Sequence, residues 1–159
     1  MNLPDIKLIV SEVDGVITDG FSGIGEVDIT VFKHFYMKDF EAINNLKRYW
    51  PFVFLSSDAA ISLSLCRKRN IPYYFAEKDK CQVFTKILQR YGVLADNVVF
   101  VGATYSDVKC MAESGFSLCP EDAPVPVKNR ADLVAPLMSG TGVLCYLFDF
   151  LSENYIRRL

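Results

Sequence analysis

Histidine is almost absent from this chain of 159 residues, and His34 is the only one. A single histidine argues against a histidine-based nucleophilic triad and against a multi-histidine zinc centre. The five cysteines (Cys66, Cys81, Cys110, Cys119 and Cys145) form neither a CxxC pair nor a Cys/His cluster. They read as reduced, partly buried thiols rather than a disulfide framework. There is no excess of basic charge: 17 Lys and Arg stand against 19 Asp and Glu, for a net charge of −2. Nothing in that balance points to nucleic acid. No apolar run approaches the ~18 residues needed to span a bilayer, so no membrane partner is expected. The opening MNLPDIKLIV lacks a basic segment followed by a small-residue cleavage site, which points to a cytoplasmic protein.

What is present is apolar. Hydrophobic residues make up 51% of the chain and aromatics 13%, which excludes disorder and fits one globular domain over residues 1–159. Ile6–Val13 is an apolar, β-branched run that stops at Asp14-Gly15, the pattern of a buried strand entering a turn. Glycines 20, 23 and 25 bracket a loop. Across Glu26–Lys33, Val27, Ile29 and Val31 alternate with Asp28, Thr30 and Phe32, as in a half-exposed antiparallel strand.

Asp39 is placed to cap a helix reaching about Arg48, which Pro51 ends. Further strands are expected at Phe52–Leu55, Pro72–Phe75, Asn97–Val101, Gly115–Leu118 and Ala131–Ala135. Helices are expected at Asp58–Arg69, Lys78–Tyr91, Tyr105–Glu113 and Val143–Tyr155. Pro120, Pro124 and Pro126 mark a loop. No repeat or linker interrupts this alternation. It implies an α/β fold, a parallel sheet with helices on both faces and ligands beyond the carboxyl ends of strands.

Four clusters sit at those ends: Glu12-Val13-Asp14-Gly15 after the first strand, Ser56-Ser57-Asp58 after the second, Lys78-Asp79-Lys80 opening the long helix, and Gly102-Ala103-Thr104-Tyr105-Ser106-Asp107 after the third apolar strand. Singly they are a turn, a helix cap, a solvated run and a loop. Taken in this order, together with VDGVITDG (13–20), YMKDFEAI (36–43), EKDK (77–80), CPEDA (119–123) and SGTG (139–142), they resemble the haloacid dehalogenase superfamily. The likeness is to its small capless branch of octulosonate and acylneuraminate phosphate phosphatases, which includes the C-terminal domain of animal acylneuraminate cytidylyltransferases. It runs from Ile6 to about Leu151.

The resemblance implies a HAD-like Rossmannoid parallel sheet without a cap domain. It places a β-hairpin insertion at about residues 20–34, which in the family helps build a tetramer. It also implies a Mg²⁺-dependent phosphatase chemistry. An aspartate at the first strand end attacks phosphorus, and a second aspartate two residues on acts as general acid and base. A Ser or Thr and a Lys hold the phosphoryl oxygens. The ion is held by the nucleophile, the backbone carbonyl of the second aspartate, and the aspartate after the motif-four glycine.

Carried over to this chain, Asp14 matches the acid/base, Ser56 and Lys80 match the phosphate-binding pair, and Asp107 matches the later acidic residue of motif four. Glu12 stands in place of the nucleophile and Ala103 in place of the metal-binding aspartate. Asp58 and Thr141 stand where the branch has arginines, and Phe40 and Glu41 replace small residues beside the substrate. Glu12, Asp14 and Asp107 are the residues left for Mg²⁺.

A glutamate carries its carboxylate one methylene farther, and misplacing a reacting group by ~1 Å can cost about 10²-fold in rate. Ala103 supplies no oxygen. Asp58 puts negative charge where an anionic substrate would approach. The expectation is therefore a degenerate phosphatase fold, a pseudo-phosphatase that assembles as a homotetramer through its hairpin and is linked to acidic-sugar metabolism. A weak Mg²⁺-dependent sugar-phosphate phosphatase and a non-hydrolysing phosphosugar-binding module are the alternatives.

Overall fold

β1 (Leu8–Ser11) is buried along its whole length because it occupies the middle of the sheet. The computed structural model describes residues 3–27 and 29–156. β4 (Phe52–Ser56) lies on one side of β1 and β6 (Val98–Val101) on the other. β5 (Tyr73–Phe75) flanks β4, and β7 (Phe116–Pro120) and β8 (Leu133–Ala135) extend the far side. The order is β5-β4-β1-β6-β7-β8, and every pair is parallel. β2 (Thr18–Ile24) and β3 (Thr30–Phe35) form a separate antiparallel hairpin inserted directly after β1.

Period-two alternation divides the core into two layers. Ile9, Phe52, Phe54, Val99 and Val101 face α1 (Met37–Leu46), α2 (Ala60–Lys68) and α6 (Val143–Asn154). Leu8, Val10, Val53, Leu55, Val98 and Phe100 face α3 (Lys80–Tyr91), α4 (Val108–Glu113) and α5 (Val125–Arg130). The central strands are apolar on both faces because both faces are covered. α3 is the best-defined helix. Asp79 caps it by accepting from the Gln82 N–H at 3.0 Å, and Gly92 ends it in the left-handed conformation.

Several local expectations change. Asp39 does not cap its own helix. It lies in the first turn of α1, fully buried, and caps α6 instead. The proline-marked loop contains α5, because Pro126 falls in the first turn, where a missing N–H is harmless. Asn97 belongs to a 3₁₀ turn before β6, and residues 105–107 form another before α4. The second helix starts at Ala60 rather than Asp58. In the hairpin, β3 begins at Thr30. Val27, Ile29 and Val31 are exposed, and Asp28 lies outside the described residues.

Candidate active site at the strand ends

The carboxyl ends of β1 and β6 and the first turn of α3 bring three of the five expected site residues, Glu12, Lys80 and Asp107, into one buried polar cluster, and Asp14 and Ser56 lie on the neighbouring loops. Glu12 leaves β1 with its N–H donating to the Val101 carbonyl at 2.8 Å, so its side chain starts from a fixed backbone. Its Oε1 accepts from the Val13 N–H at 2.8 Å, and its Oε2 accepts from Lys80 Nζ. Lys80 also donates to Asp107 Oδ1 at 2.6 Å. Lys80 and Glu12 are 3% and 2% exposed and Asp107 is fully buried, so this trio is sealed from water.

One cation stands between two buried anions. Burial and the neighbouring Asp107 hold the Glu12 carboxyl above its ordinary range, outweighing Lys80. Burial disfavours the charged Lys80, but Asp107 and Glu12 reverse that and hold its ammonium above the usual lysine range.

Asp14 turns away from this trio. Its Oδ1 accepts from Thr18 Oγ1 at 3.0 Å and its Oδ2 from Lys33 Nζ at 2.7 Å. Lys33 also pairs with Asp58 Oδ2 at 2.5 Å, and its side chain is only 1% exposed. Burial lowers the Lys33 pKa, but the bonds to Asp14 and Asp58 outweigh it and leave the ammonium above its ordinary value. Asp58 is held below the usual carboxylate range: burial works against this, and Lys33 and the Ala60 N–H outweigh it. The Tyr73 hydroxyl donates to the Asp58 carbonyl, which steadies the loop. Ser56 is buried at the end of β4, with its Oγ 3.5 Å from the Asp58 N–H.

Sequence reading missed Lys33. The signal was a lone lysine in an otherwise apolar and aromatic strand, TVFKHF, where it is the only buried residue of β3. The 139–142 turn approaches the same corner. The Gly140 N–H donates to the Val16 carbonyl at 3.1 Å, and a Cβ at Gly140 would lie 2.5 Å from the Asp19 nitrogen.

The carboxylates do not suit Mg²⁺, which needs near-octahedral oxygen ligation. Asp107 Oδ2 accepts from the Ala103 N–H, the Thr104 N–H and Thr104 Oγ1 at 2.8–2.9 Å, while its Oδ1 is taken by Lys80. Both its oxygens are therefore occupied in closing the turn and balancing the lysine. Ala103 offers only a Cβ and no oxygen from its side chain. Among the described residues, no three His, Cys, Asp or Glu side chains are grouped to hold an ion. Of the expected set, the Glu12 and Asp107 carboxylates both face Lys80, and the Asp14 side chain faces Lys33.

No protein-family model matches the chain. It is 26% identical to the 3-deoxy-D-manno-octulosonate 8-phosphate phosphatase of Haemophilus influenzae over 167 aligned residues, covering 95% of this chain and 85% of that protein. It is 25% identical to the Escherichia coli K12 phosphatase of the same name, covering 92% and 79%. The cobalt-bound H. influenzae phosphatase superposes with a TM-score of 0.86 at 26% identity over 94% of this chain and 88% of that one. The Moraxella catarrhalis 3-deoxy-D-manno-octulosonate 8-phosphate phosphatase, solved in complex with a magnesium ion, a phosphate ion and a KDO molecule, shares the fold at a TM-score of 0.86 and 18% identity, over 94% of this chain and 87% of that one. With the parallel sheet, the inserted hairpin and the residues gathered at its strand ends, these likenesses support a haloacid dehalogenase-type chain similar to the 3-deoxy-D-manno-octulosonate 8-phosphate phosphatases.

Proposed function

We propose that this phosphatase-like protein no longer turns over phosphate esters, and that its retained role is assembly or regulation in acidic-sugar metabolism. The observation that carries this reading is the Lys80 ammonium lodged between Glu12 and Asp107, in a site whose position 103 is an alanine. Phosphoryl transfer depends on positioning and on positive charge around the transferred group. Here the centre's lysines are spent on the protein's own carboxylates. Four carboxylates (Glu12, Asp14, Asp58 and Asp107) face two ammoniums, so the corner keeps an excess of negative charge that disfavours an incoming phosphate dianion.

The hairpin supplies the assembly surface in this reading. Phe21, Ile24, Val27 and Val31 are 76%, 64%, 75% and 59% exposed, a cluster of large apolar side chains that a second copy of the chain would cover. The link to acidic sugars comes from the substrate named for the relatives.

An aryl phosphate assay with Mg²⁺ tests the reading. We expect no turnover above background for the protein as it stands. Turnover that disappears in Glu12→Ala or Asp14→Asn would overturn the proposal. Activity created by joint Glu12→Asp and Ala103→Asp replacement would support it.

A further inference from the structure

Lys33 ties together three segments that are far apart in the chain. It comes from β3 of the hairpin, while its partners Asp14 and Asp58 stand on the loops after β1 and β4. A lysine this deeply buried loses hydration, and it is held only because two carboxylates replace the lost water. Without it, Asp14 Oδ2 and Asp58 Oδ2 would face each other across a gap at most 5.2 Å wide, from its two bonds of 2.7 and 2.5 Å. Such a pair of like charges needs a cation.

We propose that Lys33 is the resident cation of this corner. Its ammonium fills, between Asp14 and Asp58, the place a divalent ion would otherwise take, and it latches the hairpin to the strand ends. The proposal deepens the reading of a centre that does not use Mg²⁺, and its test needs no substrate.

Two consequences separate a resident cation from an ordinary surface ion pair. The first concerns metal. While Lys33 is in place, neither Asp14 nor Asp58 has that oxygen free for an ion. Once it is removed, both carboxylates become available, and hard cations favour paired carboxylate oxygens. The second concerns the hairpin. Removing a buried cation that bridges two anions leaves them uncompensated, and the element that carried it should open locally more often.

Mn²⁺ binding followed by electron paramagnetic resonance, with amide exchange across residues 18–35, tests both. The unmodified protein should leave Mn²⁺ free at millimolar ion. Lys33→Met should bind it about tenfold more tightly and exchange its hairpin amides about tenfold faster, with the six-stranded sheet unchanged. Lys33→Arg should keep both properties of the parent.

Sub-millimolar Mn²⁺ binding by the unmodified protein, accompanied by faster hairpin exchange, would overturn the proposal. That measurement needs no variant to fold. Unchanged Mn²⁺ binding and unchanged exchange in Lys33→Met would also overturn it. A protein that binds Mn²⁺ this way yet hydrolyses nothing refutes this inference alone. One that hydrolyses aryl phosphate without divalent ion refutes only the functional reading.

Discussion

Asp39 on α1 closes the N-terminus of α6, a helix that begins more than a hundred residues later. Its Oδ1 accepts from the Leu144 and Cys145 N–H groups, each at 3.0 Å, while its Oδ2 has no partner among the described residues. A carboxylate is favoured at a helix N-terminus, where unpaired N–H groups and the helix dipole meet it. Burial outweighs those bonds and raises the Asp39 pKa from 3.8 to about 6.

This relationship predicts a pH signature. Between about pH 4 and 6 the native carboxyl holds a proton that the unfolded one has released. The contribution of Asp39 to stability is therefore full below pH 4 and is lost as pH rises through 6, a swing of about 3 kcal/mol. Asp39→Asn keeps the accepting oxygen and removes the charge. The difference in urea-unfolding free energy between parent and variant should grow from pH 4 to pH 7 in the variant's favour. A difference independent of pH would refute the assignment.

Lys80→Met should destabilise strongly. It leaves Glu12 and Asp107 buried without their shared cation, which typically costs about 3–5 kcal/mol. Adding Glu12→Gln removes one of the stranded charges and should recover part of that loss. Chemical denaturation of the two variants checks the order, and equal stability would argue that the trio is not coupled.

Gly15 follows Asp14 with φ +79°, and a Cβ there would lie 2.8 Å from the Ala103 Cβ. Gly15→Ala combines left-handed strain with that overlap and should cost about 1–3 kcal/mol. Pairing it with Ala103→Gly should relieve the overlap but not the strain. A partial recovery in melting temperature is the expected result, and full recovery would show that the backbone conformation carries no penalty.

Charge on the hairpin should break assembly without touching the fold. Phe21→Glu with Val31→Lys replaces two exposed apolar side chains, so the stability of the single chain should change little. Light scattering should report a multimer for the parent and a smaller species for the variant, with the same far-ultraviolet circular dichroism. A parent that is already monomeric would remove the assembly role.

The legible part of this protein was its sheet. Runs such as Leu8–Ser11 and Val98–Val101 are buried on both faces, so their apolarity needs no tertiary information to be read as strand. The residues at the strand ends were legible for the same reason, since a parallel sheet brings its carboxyl ends to one edge. Helix starts were less so. Asp39 looks like the cap of its own helix because capping residues are recognised locally, whereas the N–H groups it satisfies belong to α6.

Composition and pattern by themselves determined an apolar α/β chain with carboxylates, a serine and a lysine set at the strand ends. Only the tertiary structure decided how those charges are paired. Lys33 reaches the centre because the hairpin brings β3 beside the loops that follow β1 and β4, so that Asp14 joins Lys33 and Asp58 while Glu12 and Asp107 share Lys80. The physical reason is that charge pairing is a property of distance in three dimensions. In a buried site each ion must find its partner within a few ångströms, wherever in the chain that partner lies.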